Sequence, residues 1–290
     1  MNTTLPTLRL AATLLLAAAV PAPAHAADWY APQTPFALYG NTYYVGTNGI
    51  SAVLVTSPSG HILIDGGPTG AAVQIADHVR QLGFKVEDIR YILSGHEHFD
   101  HAGGIAALQA MSGATVLGSP AAVEVLRTGQ PDKRDAQYPD LETMDPVANT
   151  RAVRDGEVVT LGPLAITAHF TPGHTLGATS WTWQSSEGGK TMHIVYADSI
   201  NAIVAEGRSF SRNPLYPSAR ADVERSIATV EALDCDVLVS AHPEGSDLWE
   251  RLAKQATLGT AAFVDRTACR SYGANARARL TKTLAAEAPQ

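Results

Sequence analysis

Ser94-Gly95-His96-Glu97-His98-Phe99-Asp100-His101 follows the apolar run Ile89–Leu93 and precedes Gly103-Gly104 and the apolar Ile105–Met111. The first run reads as a strand and the second as a helix, which places three imidazoles and a carboxylate on the loop between them. Neutral imidazole and carboxylate are donors that zinc accepts. Alternation sends His96 and His98 to one side of an extended segment, while Asp100 and His101, past the strand end, turn toward a second metal nearby. Glu97 points away from its neighbours, toward solvent or a supporting contact behind the ligands. A chance surface cluster fits poorly with an apolar helix following directly.

Two remote histidines complete the donor count: His174 in Thr171-Pro172-Gly173-His174-Thr175, and His242 in Ser240-Ala241-His242-Pro243. Both stand at the ends of predicted strands, where ligand sites of α/β folds are assembled. His96, His98 and His174 on one metal, and Asp100, His101 and His242 on another, leave each with three protein ligands and an open position for water. The expected cofactor is therefore two Zn2+. His61, His78, His169 and His193 fall within predicted strands or helices and read as structural.

Further outward, Thr42–Val45, Ile50–Ser57 and His61–Ile64 read as an antiparallel meander, Ala71–Leu82 as a helix, Thr115–Leu117 as a strand, and Ser119-Pro120 as the start of another helix. Gly129–Pro146 is polar and turn-rich, a long connection that reads as a lid. Val158–Leu161, Leu164–Phe170, Ser180–Trp183 and His193–Tyr196 then predict strands, Ala219–Leu233 a helix, and Asp236–Ser240 a strand before helical C-terminal segments. Two halves of β-then-α order, with no repeat or linker, imply one α/β domain layered α/β/β/α.

The 290 residues, 45% hydrophobic and 17% charged, exclude a disordered, collagen-like or coiled-coil chain. A net charge of −7 argues against nucleic acid or an anionic membrane as the main partner and favours a small solute; separately, the chain is expected to be a monomer. Arg9, the apolar Leu10–Val20 and the terminal Ala24-His25-Ala26 predict a secretory signal over 1–26, cleaved to leave 27–290 as a soluble, periplasmic domain. That apolar run is well short of the roughly 20 residues a membrane anchor needs. Cys235 and Cys269, an even number in an exported chain, are expected to pair; the alternative is two buried free thiols.

The string HEHFDH resembles the HxHxDH motif of the metallo-β-lactamase superfamily, with His174 and His242 matching its later metal histidines. The resemblance covers nearly all of the chain after the signal and implies the four-layer αβ/βα sandwich of that family. Ser199, in Ala197-Asp198-Ser199, stands where B1-type lactamases carry a cysteine ligand, and the second histidine of HEH is kept, so the chain is most similar to subclass B3. The two cysteines also resemble a disulfide pair of some members. The resemblance implies zinc-dependent opening of the β-lactam amide by an activated water that Asp100 orients, with Ser199 and Asn201 bonding the substrate's anionic group. Asn201 departs from the hydroxyl residue often found there. Asp198 is expected behind the ligands, although glyoxalase-like relatives use an aspartate to bridge both metals. Trp29, Tyr30 and Tyr138 are candidates for an apolar wall. Lactonases and glyoxalase II enzymes share the motif, so a lactone or thioester hydrolase is the alternative, with a non-catalytic metal-binding protein behind it. Against glyoxalase II, no C-terminal Lys/Arg/Tyr cluster for glutathione is evident in the sequence.

Overall fold

Strand-forming runs rich in Val, Ile, Leu and Tyr pair into two sheets in the computed structural model, which describes residues 29–287 together with Met1. Apart from Met1, the expected signal lies outside the described residues. The first sheet holds seven strands in chain order: β1 (Phe36–Tyr39), β2 (Thr42–Tyr44), β3 (Val53–Val55), β4 (His61–Ile64), β5 (Ile89–Leu93), β6 (Thr115–Gly118) and β7 (Thr150–Ala152). It is antiparallel up to β4 and parallel from there to β7. The second holds β8 (Val158–Leu161), β9 (Leu164–Phe170), β10 (Thr179–Glu187), β11 (Lys190–Ala197) and β12 (Val237–Ser240), with only β11 and β12 parallel.

β1 and β7 are strands the sequence reading does not anticipate. The hairpin of β10 and β11 also runs past its expected ends, closing at Gly188-Gly189, where φ values of 57° and 78° suit the tight turn. Conversely, the expected Ile50–Ser57 strand shrinks to Val53–Val55.

Helices α1 (Ala72–Gln81), α2 (Phe99–Ala102), α3 (Ile105–Ser112) and α4 (Pro120–Thr128) belong to the first half, and α5 (Ala219–Ala232), short α6 (Leu248–Leu252) and α7 (Gln255–Leu258), and α8 (Ala268–Ala286) to the second. α4 starts as its sequence requires: the Ser119 hydroxyl accepts from Ala122 N–H, Pro120 occupies the first turn, and Gly129 ends it at φ 67°.

Three apolar clusters define the layers. Val53, Ile62, Ile64, Trp181, Ile194 and Val239 pack between the sheets. Ile75, Val79, Leu108 and Leu126 seat α1, α3 and α4 on the outer face of the first sheet. Val223, Ile227, Tyr272 and Leu280 seat α5 and α8 on the second. Each fully buried aliphatic side chain of this kind contributes about 1.5 to 3 kcal/mol. The expected α/β/β/α sandwich is the observed one. Trp181, fully buried, donates from its indole to Ser94 O at 3.1 Å, so the central core also positions the start of the histidine loop.

Cys235 and Cys269 are joined, with Cα atoms 6.2 Å apart across a sequence separation of 34, fastening the start of β12 to α8. No helix among the described residues is long and apolar enough to cross a membrane.

Candidate metal centre

The parallel strands β4, β5, β11 and β12 end at one rim of the sandwich, and their last residues lead directly into Asp65, the histidine loop, Asp198 and His242. Backbone bonds lock these ends together: Asp65 N–H donates to Leu93 O at 2.9 Å, Ala241 N–H to Ala197 O at 2.9 Å, and Thr179 N–H to Gly95 O at 2.7 Å. Gly95 has to be glycine, because a Cβ there would stand 2.8 Å from Asp65 Oδ2 and 3.1 Å from Asp198 Oδ1.

His96, His98 and His174 bring one donor atom each within 4.8 Å of one another, and so do His96, Asp100 and His101. His242 joins the second set, its Nε2 lying 3.2 Å from His101 Nε2 and 3.6 Å from Asp100 Oδ2. The structure thus assembles all six residues expected to hold metal, and it places His96 within reach of both sets.

Each ring is aimed by a partner on its far side. His96 Nδ1 donates to Asp198 Oδ1 at 2.8 Å, His98 Nε2 to Asp135 Oδ2 at 2.9 Å, and His174 Nδ1 to the Asn201 carbonyl at 3.1 Å. His101 Nδ1 lies 3.5 Å from Asp65 Oδ2, and His242 bonds the backbone of Gly49. Such bonds select the tautomer and leave the opposite nitrogen for a ligand. His96 Nε2 is that case, buried and without a hydrogen-bond partner.

The electrostatics favour a cation. Burial, then the surrounding imidazoles, push His96 well below the ordinary range. Burial, then His98, pushes His174 down to about 3, and burial, then His101, pushes His242 down to about 4. Three neutral rings therefore offer lone pairs at neutral pH. Burial opposes charge on Asp100 and His101, but their mutual attraction outweighs it, lowering Asp100 and raising His101 to about 10. A divalent cation satisfies this crowd of donors better than shared protons do, so the residues present fit zinc.

Asp65 and Asp135 escape the sequence reading, whereas Glu97 and Asp198 take the supporting places expected of them. Asp65 takes a left-handed backbone, φ 60°, unusual for a non-glycine, and its fully buried carboxylate accepts from Gly95 N–H at 2.6 Å and Tyr196 O–H at 2.5 Å. Asp135 lies in the Gly129–Pro146 connection; instead of standing free as a lid, that segment is bound to the site through Asp135 and His98 and to Asn213 through Arg134 O. Glu97 is not solvated: it is buried and accepts from Thr175 Oγ1 at 2.9 Å and Gly177 N–H at 3.0 Å, stitching the histidine loop to the loop that carries His174. Asp198 stands behind His96, with its second oxygen buried and unpartnered.

A cavity of about 560 Å³ opens over the donors, lined by His174, Ser199, Asn201, His242, Trp29 and Arg279 among others. Ser199 and Asn201 thus reach it as expected. Of the aromatic candidates, Trp29 forms a wall, with ring centroids 5.9 Å from Phe99 and 6.0 Å from His242; Tyr30 and Tyr138 are not among the lining residues. On α8, Tyr272 and Arg279 line this cavity, and Lys282 lines the next one. The four remaining histidines are engaged elsewhere: His61 packs edge-on against Phe84, while His78, His169 and His193 bond Val45 O, Thr182 and Asp236.

The family model for the metallo-beta-lactamase superfamily matches residues 45–185. Among solved structures, MEM-A1, a subclass B3 metallo-β-lactamase isolated from a soil metagenome library, is 63% identical with a TM-score of 0.89, over 90% of this chain and 98% of that one. SMB-1, a metallo-β-lactamase solved with 2-mercaptoethanesulfonate, is 50% identical with a TM-score of 0.88, over 90% and 100%. A hydroxyacylglutathione hydrolase of Pseudomonas paraeruginosa is 31% identical over 148 residues, which are 51% of this chain and 45% of that protein. The chain thus spans about half the length of that curated relative.

Proposed function

The chain belongs to the metallo-β-lactamase superfamily, and from that premise we propose that it is a subclass B3 enzyme that hydrolyses the β-lactam amide of antibiotics with two zinc ions. The observation that carries the proposal is the pair of adjoining buried donor sets facing one open cavity. A structural zinc site is closed by four ligands, whereas three-donor sets beneath a cavity leave room for water and substrate, against a purely storage role. The near-complete alignment with MEM-A1 narrows the carbonyl substrate to a lactam.

Zinc bound there supplies a Lewis acid and brings water within reach of ionisation near neutral pH. The protein's own part is to place and hold. Asp198, Asp135 and the Asn201 carbonyl fix the three rings of the first set, so no reorganisation is needed during the reaction. Asp100, kept ionised beside His101, is placed to accept a hydrogen bond from the attacking water and orient it. Ser199 and Asn201 offer hydrogen bonds to the substrate at the cavity wall, and Trp29 gives it an apolar face. No Ser-x-x-Lys sequence is present, so the chemistry does not pass through an acylated serine.

Export over 1–26 to the periplasm completes the proposal, and the Cys235–Cys269 disulfide is consistent with an oxidising compartment. Thioester hydrolysis is the second reading, favoured by the hydroxyacylglutathione hydrolase match and the α8 cations. Nitrocefin and an S-acylglutathione, each tested with EDTA and after zinc is restored, separate the two. The expected result is zinc-dependent nitrocefin turnover that clavulanate does not block. Turnover of the thioester alone, or nitrocefin hydrolysis indifferent to EDTA, overturns it.

A further inference from the structure

The segment that leaves β11 carries Asn201 and Ile203 into the wall of the metal cavity, and the Asn201 carbonyl also accepts from His174 Nδ1 at 3.1 Å. Close packing is not what keeps that wall in place. A second cavity of about 610 Å³ lies between residues 201–208 and α8, Ile203 is exposed, and Gly207 turns the segment at a φ of 74°.

Polar bonds from one face of α8 take the place of packing. The Tyr272 hydroxyl donates to Asp198 O at 3.1 Å, and the Thr283 hydroxyl to Ala202 O at 3.0 Å. Glu287, directly after α8, closes the far end. Its carboxylate accepts from the Phe210 and Ser211 N–H groups and from the Ser211 hydroxyl, while its own carbonyl accepts from Arg212 Nη1 at 2.6 Å. Positions 272, 276, 280, 283 and 287 recur at helical spacing, with Ala276 and Leu280 buried between the polar contacts. Burial opposes charge on Glu287, but these bonds outweigh it and hold its carboxyl below the ordinary glutamate range. Hydrogen bonds to an ionised carboxylate are the stronger kind, and three donors from two adjacent residues fix that turn as a unit. Phe210, buried in the apolar cluster beneath α5 and α8, is therefore held by its backbone as well as by its ring.

We propose that Glu287 is a positioning residue of the hydrolase: by clamping the 210–211 backbone it holds the 201–208 wall, and with it Asn201 and Ile203, in place over the metal donors. It acts through that segment, since Glu287 lines the second cavity and is not among the residues lining the first. The proposal rests on the hydrolase reading and adds to it a residue that does not touch the substrate.

The test uses zinc-loaded protein and three variants: Glu287→Ala; Glu287→Gln, which keeps one accepting oxygen; and Arg277→Ala, which breaks the α8 pair with Glu231 away from the wall. Trypsin nicks exposed turns first, and Arg208 stands in the segment itself. Cleavage after Arg208 is followed by mass spectrometry, alongside KM and kcat for nitrocefin, Tm and bound zinc. In Glu287→Ala, cleavage after Arg208 should speed up about tenfold and KM should rise about fivefold, while kcat changes less than about twofold and zinc content and Tm hold. Glu287→Gln should fall in between, and Arg277→Ala should match wild type. Ser211→Ala removes one donor of the clamp, so it should add nothing in the Glu287→Ala background. Unaltered cleavage and KM, faster cleavage spread over the whole chain, or zinc lost together with Tm overturns the proposal. Faster cleavage after Arg208 in Glu287→Ala, with no β-lactam turnover by wild type, keeps the clamp and removes the lactamase reading; normal turnover with unaltered cleavage and KM does the reverse.

Discussion

His96, His98 and His174 are each held from behind by a different partner, Asp198, Asp135 and the Asn201 carbonyl, and all three are buried. His242, in the second donor set, leans on the Gly49 backbone, and 36% of its side chain is exposed at the cavity edge. The first set is therefore a preformed pocket fastened to three separate segments, and the second combines a tight Asp100–His101 pair with a looser outer ligand. Preformed donors bind a metal without an ordering cost, so the first set should hold zinc more firmly and the second should exchange it more readily.

The sharpest way to break this contrast lies inside the second set. Asp100→Ala removes a ligand and the group that orients water, so turnover should stay down by about 10²–10⁴-fold even with excess zinc. His242→Ala removes a ligand alone and should recover further in the same titration. Equal recovery would reduce Asp100 to a plain ligand. Next in size is Asp135→Ala, which frees His98 without touching a donor: zinc affinity at the first set should fall roughly 10–100-fold, with most activity returning at saturating zinc. An unchanged affinity would mean that the long connection serves only as a wall.

Away from the centre, Cys235→Ala should lower stability by about 3 to 4 kcal/mol, or roughly 10 °C in Tm, while zinc content stays at the wild-type level. Loss of metal together with stability would tie the staple to the site. The smallest effect concerns the neighbouring Asp236. Burial raises its pKa, but bonds from the His193 N–H and ring and from Arg266 more than compensate, leaving it lowered in the folded state. The stability it contributes is fully present above the ordinary carboxylate pKa, about 3.9, and is lost as pH falls from there through the lowered folded-state pKa. Asp236→Asn should thus be slightly less stable at pH 7, by under about 1 kcal/mol, and the gap should close only as pH falls below the ordinary carboxylate range to the lowered folded-state pKa; a gap independent of pH would assign the effect to packing.

The parts of this site that the sequence displays are the local ones. Six adjacent positions at a strand end announce a metal loop, because strand alternation and strand-end placement are short-range rules. Asp65 and Asp135 stay hidden: each reaches the centre through contacts tens of residues away, which depend on how the sheets are stacked. Asp135 in particular sits in a polar, turn-rich run that resembles solvent-exposed loop. β7 was equally illegible, since Thr150–Ala152 is an exposed edge strand with no apolar alternation. In β10 and β11 the inner halves are apolar and readable, whereas the polar ends around Glu187 and Lys190 carry no strand signal.

On the function proposed above, the two adjoining donor sets hold two zinc ions. Stepwise addition of zinc to EDTA-treated protein, with bound metal counted and nitrocefin turnover recorded at each step, tests it most directly. The predicted result is no activity without metal, saturation at two zinc ions per chain, and separate affinities for the two steps. Full turnover by metal-free protein, or saturation of binding and activity at a single zinc, would contradict it.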